Sequence, residues 1–278
     1  MSMYYNNQPN QPQNNVPNPP AYPNNQNYQN TYYNNDTFQP VPIADDIESG
    51  NQSLKNDYEL TMRLGFIKKV YGILSAQLLV TFLLCIFSMT NKTFANFQIH
   101  NSGIMIFCMV VNIIIFICLI CIPHLLKTTP TNYILLFIFT ITEAYMVSAI
   151  CSMTNPQIVV MAAGMTVGMT LALTYYACTT KEDFTICGSM LFIGACILLF
   201  FSIFLIFTQN PIVHIIVCCF GVLLYSFYLV YDTQLLLGNK RSALDYDDYI
   251  MGALMLYVDI IQLFLYLLDI LQKVSGEN

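Results

Sequence analysis

FGVLLYSFYLVYDTQLLLG, residues 220–238, and YIMGALMLYVDIIQLFLYLLDIL, residues 249–271, are apolar runs that each hold an aspartate in the interior, Asp232 and Asp259. A helix needs about 20 apolar residues to cross the hydrocarbon of a bilayer, and both runs reach that length. A carboxylate inside such a span costs about 2.5–3.5 kcal/mol or more, so it requires a partner, a water-filled cavity or a proton. Two of them on consecutive spans predict a proton-sharing pair.

The rest of the chain sets the context. With 56% hydrophobic residues, 9% charged residues and a mean hydropathy of +0.55, the 278 residues describe a polytopic membrane protein and exclude a soluble domain. The net charge of -6 says little about the membrane part, because Asp45, Asp46, Glu48, Asp57 and Glu59 all precede the first apolar run. Seven apolar runs follow, at about 66–88, 104–126, 132–152, 158–178, 186–207, 212–236 and 249–271, with short connections that imply an antiparallel bundle. Ten cysteines lie in or beside these runs, which reads as buried free thiols, and the Cys118/Cys121 spacing has no nearby His or basic residue to favour zinc or redox chemistry. Gly164 and Gly168 form a GxxxG surface on the fourth span, read as packing within the monomer.

Residues 1–55 are of different material, rich in Asn, Gln, Pro and Tyr without apolar periodicity, and read as a disordered tail ahead of a transmembrane domain over 56–278. No charged n-region followed by an apolar core marks a signal peptide. Pro19, Pro20 and Tyr22 match the PPxY pattern accepted by WW domains, a partner expectation in a composition where chance matches also arise.

Of the ten basic residues, eight (Lys55, Arg63, Lys68, Lys69, Lys127, Lys181, Lys240 and Arg241) fall on the side of the tail and two, Lys92 and Lys273, on the other. The expectation is a cytosolic N-terminus and a far-side C-terminus, unless the last segment is re-entrant. Asn91-Lys92-Thr93 is then a glycosylation sequon in the first far-side loop. Asp232 lies about 12 Å of helix from Lys240, and Asp259 about 16 Å from Asp248, so both aspartates sit at similar depth. Gly221, Tyr225, Tyr228 and Asp232 share one face of the sixth span, as Gly252, Asp259, Gln262 and Tyr266 share one face of the seventh. Like charges in contact cannot both ionise in a low dielectric, so the pair is expected to hold one shared proton and to act as a pH-operated latch. The alternative is that each aspartate only accepts hydrogen bonds that fix helix packing.

Other charged residues carry two readings each. Glu143, in the third span, serves ion passage or coupling to the latch, or is a protonated group bonded to a neighbouring helix. Arg63 snorkels to the headgroups or reaches a carboxylate of the pair. Asp269 reads as an i,i+4 partner of Lys273, and Asp245, Asp247 and Asp248 as a solvated loop and helix N-terminus. His100, His124 and His214 sit singly at span ends. No nucleotide loop, catalytic Ser-His-Asp set or zinc spacing is present, so no enzyme, cofactor or nucleic-acid partner is expected.

GFIKKVYGILSAQLLVT (65–81), TEAY (142–145), LALTYYACTTKEDFT (171–185), LVYDTQLLLG (229–238) and DDYIMGALMLYVDIIQLFLYLLDIL (247–271) resemble the Bax inhibitor family, lifeguard branch, over some two hundred residues. The resemblance implies an all-α membrane protein, a seven-transmembrane-helix bundle with the C-terminal helix central, in the endoplasmic reticulum, Golgi or related membranes. It also implies a pH-sensitive calcium leak and protection against cell death. The family's aspartate pair maps onto Asp232 and Asp259, and its third-span acid onto Glu143. The Pro/Tyr-rich tail is similar to that of the glutamate-receptor-associated members.

The mechanism expected is a gate between the sixth and seventh helices, closed by the shared proton, through which calcium passes. Two carboxylates are too few to store calcium, which takes six to eight oxygens, so they serve gating and transient passage. Two other classes compete. A non-conducting scaffold would regulate other channels or death proteins. An intramembrane aspartyl protease also carries Tyr-Asp on its sixth span, as Tyr231-Asp232 does, but Tyr257-Val258-Asp259 lacks that class's Gly-x-Gly-Asp and no Pro-Ala-Leu follows.

Overall fold

The computed structural model describes residues 43–122, 127–205, 207–208, 210–238 and 240–276, without the side chains of 43–51, 53 and 119–121. Pro19, Pro20, Tyr22 and His124 lie outside them. The chain divides at Glu48/Ser49 into two units, and the second, Ser49–Asn278, holds the membrane-length helices.

All regular structure among the described residues is helical. The helices are α1 (Ile43–Thr90), α2 (Lys92–His100), α3 (Ser102–Cys121), α4 (Thr131–Met153), α5 (Pro156–Thr179), α6 (Gly188–Leu205), α7 (Pro211–Leu237) and α8 (Tyr249–Val274), with a short 3-10 turn at Phe184–Cys187. Six apolar helical segments are long enough to cross a membrane, and the bent pair α2–α3 makes a seventh. This is a multi-pass, all-α membrane protein.

The second span differs from the straight run expected at 104–126. Lys92–His100 leaves α3 at 75°, and α3 ends at Cys121. The bend has a local cause at each end. Asn91 caps α2, its side-chain oxygen accepting the Thr93 and Phe94 amides at 3.0 and 3.1 Å. Gln98 is then buried, accepting from the Ser88 hydroxyl of α1 and donating to Ser148 of α4 at 2.9 Å. Asn91, the sequon residue, therefore serves as a helix cap. Asn155 and Asn210 cap α5 and α7 in the same way, each followed by a proline at the first helical position, where a missing amide costs nothing.

The last helix is at the centre. Its Ala253, Tyr257 and Leu263 are fully buried, and it packs against α4, α5 and α7 while Thr81 of α1 bonds its Tyr257 hydroxyl at 2.8 Å. Unbroken over 26 residues, α8 shows no re-entrant bend. The GxxxG expectation fails: Gly164 and Gly168 are exposed and a Cβ on either would meet nothing within 4 Å. The buried face of α5 is Ile158, Val159, Ala162, Thr166 and Ala177, and both glycines point the other way.

One end of the bundle collects the basic residues. Lys240 donates to the Thr180 and Lys181 carbonyls at 3.1 and 2.9 Å, and Lys127 pairs with Asp245 and Asp248 at 3.5 and 3.2 Å. The bond to Asp248 raises the Lys127 ammonium above its ordinary range. Asp183 is held below the usual carboxylate range by the Thr185 hydroxyl and amide and the Arg241 amide. Arg63 donates to the Leu244 carbonyl at 2.9 Å and lies 4.8 Å from the Tyr246 ring and 5.4 Å from the Phe66 ring. It also covers Gly238, which ends α7 at φ 67°.

Gly238→Ala is expected to destabilise the protein by about 1–2 kcal/mol, because a side chain is strained in the left-handed region and its Cβ overlaps the Arg63 guanidinium. A thermal melt of purified protein in detergent checks it; an unchanged melting temperature would show that this loop is not held as described.

Candidate functional site

Helices α7 and α8 run antiparallel, and their contact is the most extensive in the fold. The close approach is made at Gly221, where any Cβ would fall 2.9 Å from the Tyr266 ring. One turn further along α7, Tyr225 stacks on Tyr266 with centroids 5.8 Å apart and a 29° interplanar angle. In the same register Asp232 meets Asp259, each 4% exposed, with the carboxyl groups within hydrogen-bonding reach of one another. The pair expected from sequence is thus brought together.

No cation joins it. Neither aspartate has an ion-pair partner among the described residues, and Asp232 Oδ1 and Asp259 Oδ2 receive no hydrogen bond from a donor group. Two carboxylates have no donor between them, so any bond from one to the other requires a proton on one oxygen. The pair borders a cavity of about 350 Å³ whose walls come from α3, α6, α7 and α8, with Tyr228 and Tyr231 of α7 beside the carboxyls.

The other two candidates stand elsewhere. Glu143 of α4 accepts from Asn112 Nδ2 of α3 at 2.7 Å, and Asn112 Oδ1 accepts from Thr142 at 2.6 Å. Arg63 is engaged with loop carbonyls at the basic end. No hydrogen bond or ion pair links Glu143 or Arg63 to either aspartate among the described residues. Asp269 accepts from the Cys218 thiol at 2.9 Å and makes no ion pair with Lys273, continuing the α7–α8 seam past Tyr266. His100 and His214 bond backbone carbonyls near their helix ends. The described cysteines are free thiols, and Cys178 and Cys219 are exposed. No group of three or more metal-ligating side chains exists among the described residues.

Sequence reading passed over several polar groups that hold this arrangement. Gln77 of α1 donates to Thr140 of α4 at 3.0 Å. Gln234, two residues after Asp232, accepts the Phe184 amide at 2.8 Å and donates to the Glu182 carbonyl at 3.0 Å, so the α5–α6 connection is tied to the end of α7. Gln77, Asn112 and Gln234 carried the same signal as the aspartates, a polar side chain in an apolar run, without the charge that draws notice.

The chain belongs to the Bax inhibitor family. Its residues 63–276 match the family model described as inhibitor of apoptosis-promoting Bax1. Among its relatives, it is 33% identical to human protein lifeguard 3 over 76% of this chain and 69% of that one. It is 38% identical to a BI1-like protein of Arabidopsis thaliana over 79% and 84% of the two chains. It is 32% identical to mouse protein lifeguard 4 over 84% and 94%. The matched region contains Asp232, Asp259, Glu143 and Arg63 and leaves out the first 62 residues.

Replacing Asn112 by Ala leaves a buried Glu143 oxygen without its donor and is expected to cost about 1–3 kcal/mol. Asn112→Asp is expected to cost at least as much, since it sets two acids face to face. Chemical or thermal unfolding in detergent measures both, and wild-type stability in Asn112→Ala would remove Glu143 from the α3–α4 contact.

Proposed function

We propose that this protein is a pH-sensitive calcium leak of intracellular membranes, of the endoplasmic reticulum or Golgi, with the Asp232–Asp259 pair as its gate and a role in modulating cell death. The cell-death role rests on the family. The observation that carries the gate is the meeting of two buried carboxyl groups, without any cation, at the seam between α7 and α8.

A single shared proton joins the carboxyls and keeps the seam closed. Its loss leaves two like charges in contact in a medium of low dielectric, and separation of the helices relieves that repulsion. A few kcal/mol is enough to shift such a two-state element. Calcium then passes the carboxyls transiently, because two acids cannot hold it tightly. Glu143, bonded to Asn112 of α3, couples α3–α4 to the seam through the packing of α4 on α8. The gathering of Arg63, Lys127, Lys240 and Arg241 at one end supports a cytosolic N-terminus.

Calcium efflux from liposomes holding the purified protein is expected to rise from pH 6 to pH 8. Asp232→Asn and Asp259→Asn, each unable to place two charges at the seam, are expected to flatten that profile. If loaded and empty liposomes release calcium alike at every pH, conduction is wrong and a non-conducting scaffold becomes the reading to pursue.

A further inference from the structure

The cavity beside the aspartate pair has a composition that calcium passage does not explain. Five of its twelve lining residues are aromatic, Phe116 of α3, Phe192 of α6 and Tyr225, Tyr228 and Tyr231 of α7, and apart from the two aspartates the rest are aliphatic or Met side chains of α6 and α8. Asp232 and Asp259 line it as well, on residues 96% removed from solvent and lipid, and no hydrogen-bond donor of the described residues is seen on their carboxyls. A resident metal ion would need several more oxygens than this wall supplies, and no third acid, histidine or cysteine joins the pair as a ligand set among the described residues. A neutral apolar guest would leave the charge of the pair without a partner.

We infer that this cavity is a binding site for a small lipophilic organic amine, its ammonium group set against the Asp232–Asp259 carboxyls and its apolar body within the aromatic wall. An ammonium supplies donors to carboxyls that no side chain or amide bonds, and it balances the single negative charge of a pair that shares one proton. Tyrosine and phenylalanine faces attract a cation and accept an apolar body equally well. The volume of about 350 Å³ stands at the lower end of small-molecule sites, roughly 300–1,000 Å³, which suits a guest of one ring and a short chain.

The route of entry points the same way. Phe116 and Phe192 line the cavity and are 45% and 66% exposed, and α3 and α6 are not closely packed against each other. A ligand that entered between these two apolar helices would come from the acyl chains, by partitioning into the bilayer. That favours an amine with an apolar body over a hydrated ion. The site shares its carboxyls with the proposed calcium gate, but occupancy does not depend on conduction.

The test is binding of radiolabelled 2-phenylethylamine to the purified full chain in detergent, with 2-phenylethanol as the uncharged control of the same shape. Saturable binding is expected, displaced by unlabelled amine and not by the alcohol at equal concentration. Asp232→Asn and Asp259→Asn are expected to weaken it at least tenfold, while Asp269→Asn, an intramembrane acid outside the cavity, leaves it unchanged. Should an aspartate variant fail to fold, Ala195→Leu, which fills the cavity and keeps both carboxyls, is expected to abolish binding. Absence of saturable binding, equal competition by the alcohol, or wild-type affinity in the folded cavity variants would overturn the inference. Amine binding by a protein that passes no calcium would sustain it and remove only the leak.

Discussion

Two acids buried against each other without a base constrain this molecule more than any other contact. Water could solvate them separately, but between α7 and α8 only a proton or a cation can. That requirement fixes how the helices meet. Asp232 opposes Asp259 because Tyr225 opposes Tyr266 two turns away, and both depend on Gly221 leaving room for the Tyr266 ring. A seam set by sterics at one end and by charge at the other has few ways to slide.

The ends of these helices are held by a different device. Lys240 reaches the carbonyls after α5, Arg63 reaches the loop after α7, and Gln234 ties the start of the 3-10 turn to α7. Lys240 and Arg63 satisfy carbonyls at or beyond helix C-termini, where positive charge is also favoured by the helix dipole. The same basic residues that report orientation in a membrane thus serve as struts between loops.

Much of this was legible in the chain. The number of apolar spans, the shared faces of the aspartates with Tyr225 and Tyr266, and the family all follow from periodicity and motif. What failed to show was direction. Gly164 and Gly168 form a small-residue face, yet it turns outward, because Ile158, Ala162 and Thr166 already fill the inward side of α5. The bend before α3 was hidden for the same reason: apolar length says that a segment stays in the membrane and nothing about its angle, which Gln98 sets through Ser88 and Ser148.

The sequence by itself determined that the protein is helical and crosses a membrane several times, because uninterrupted apolar length leaves the backbone no other way to meet its hydrogen bonds in hydrocarbon. It also determined that Asp232 and Asp259 need a partner, a water-filled cavity or a proton, since an isolated charged acid there is too costly. Tertiary structure alone decided that they meet beside a cavity lined by α3, α6, α7 and α8, that Glu143 turns to Asn112 and that Arg63 serves the loops. Those outcomes depend on which faces of helices distant in sequence come together, a matter of packing shape that no local spacing records.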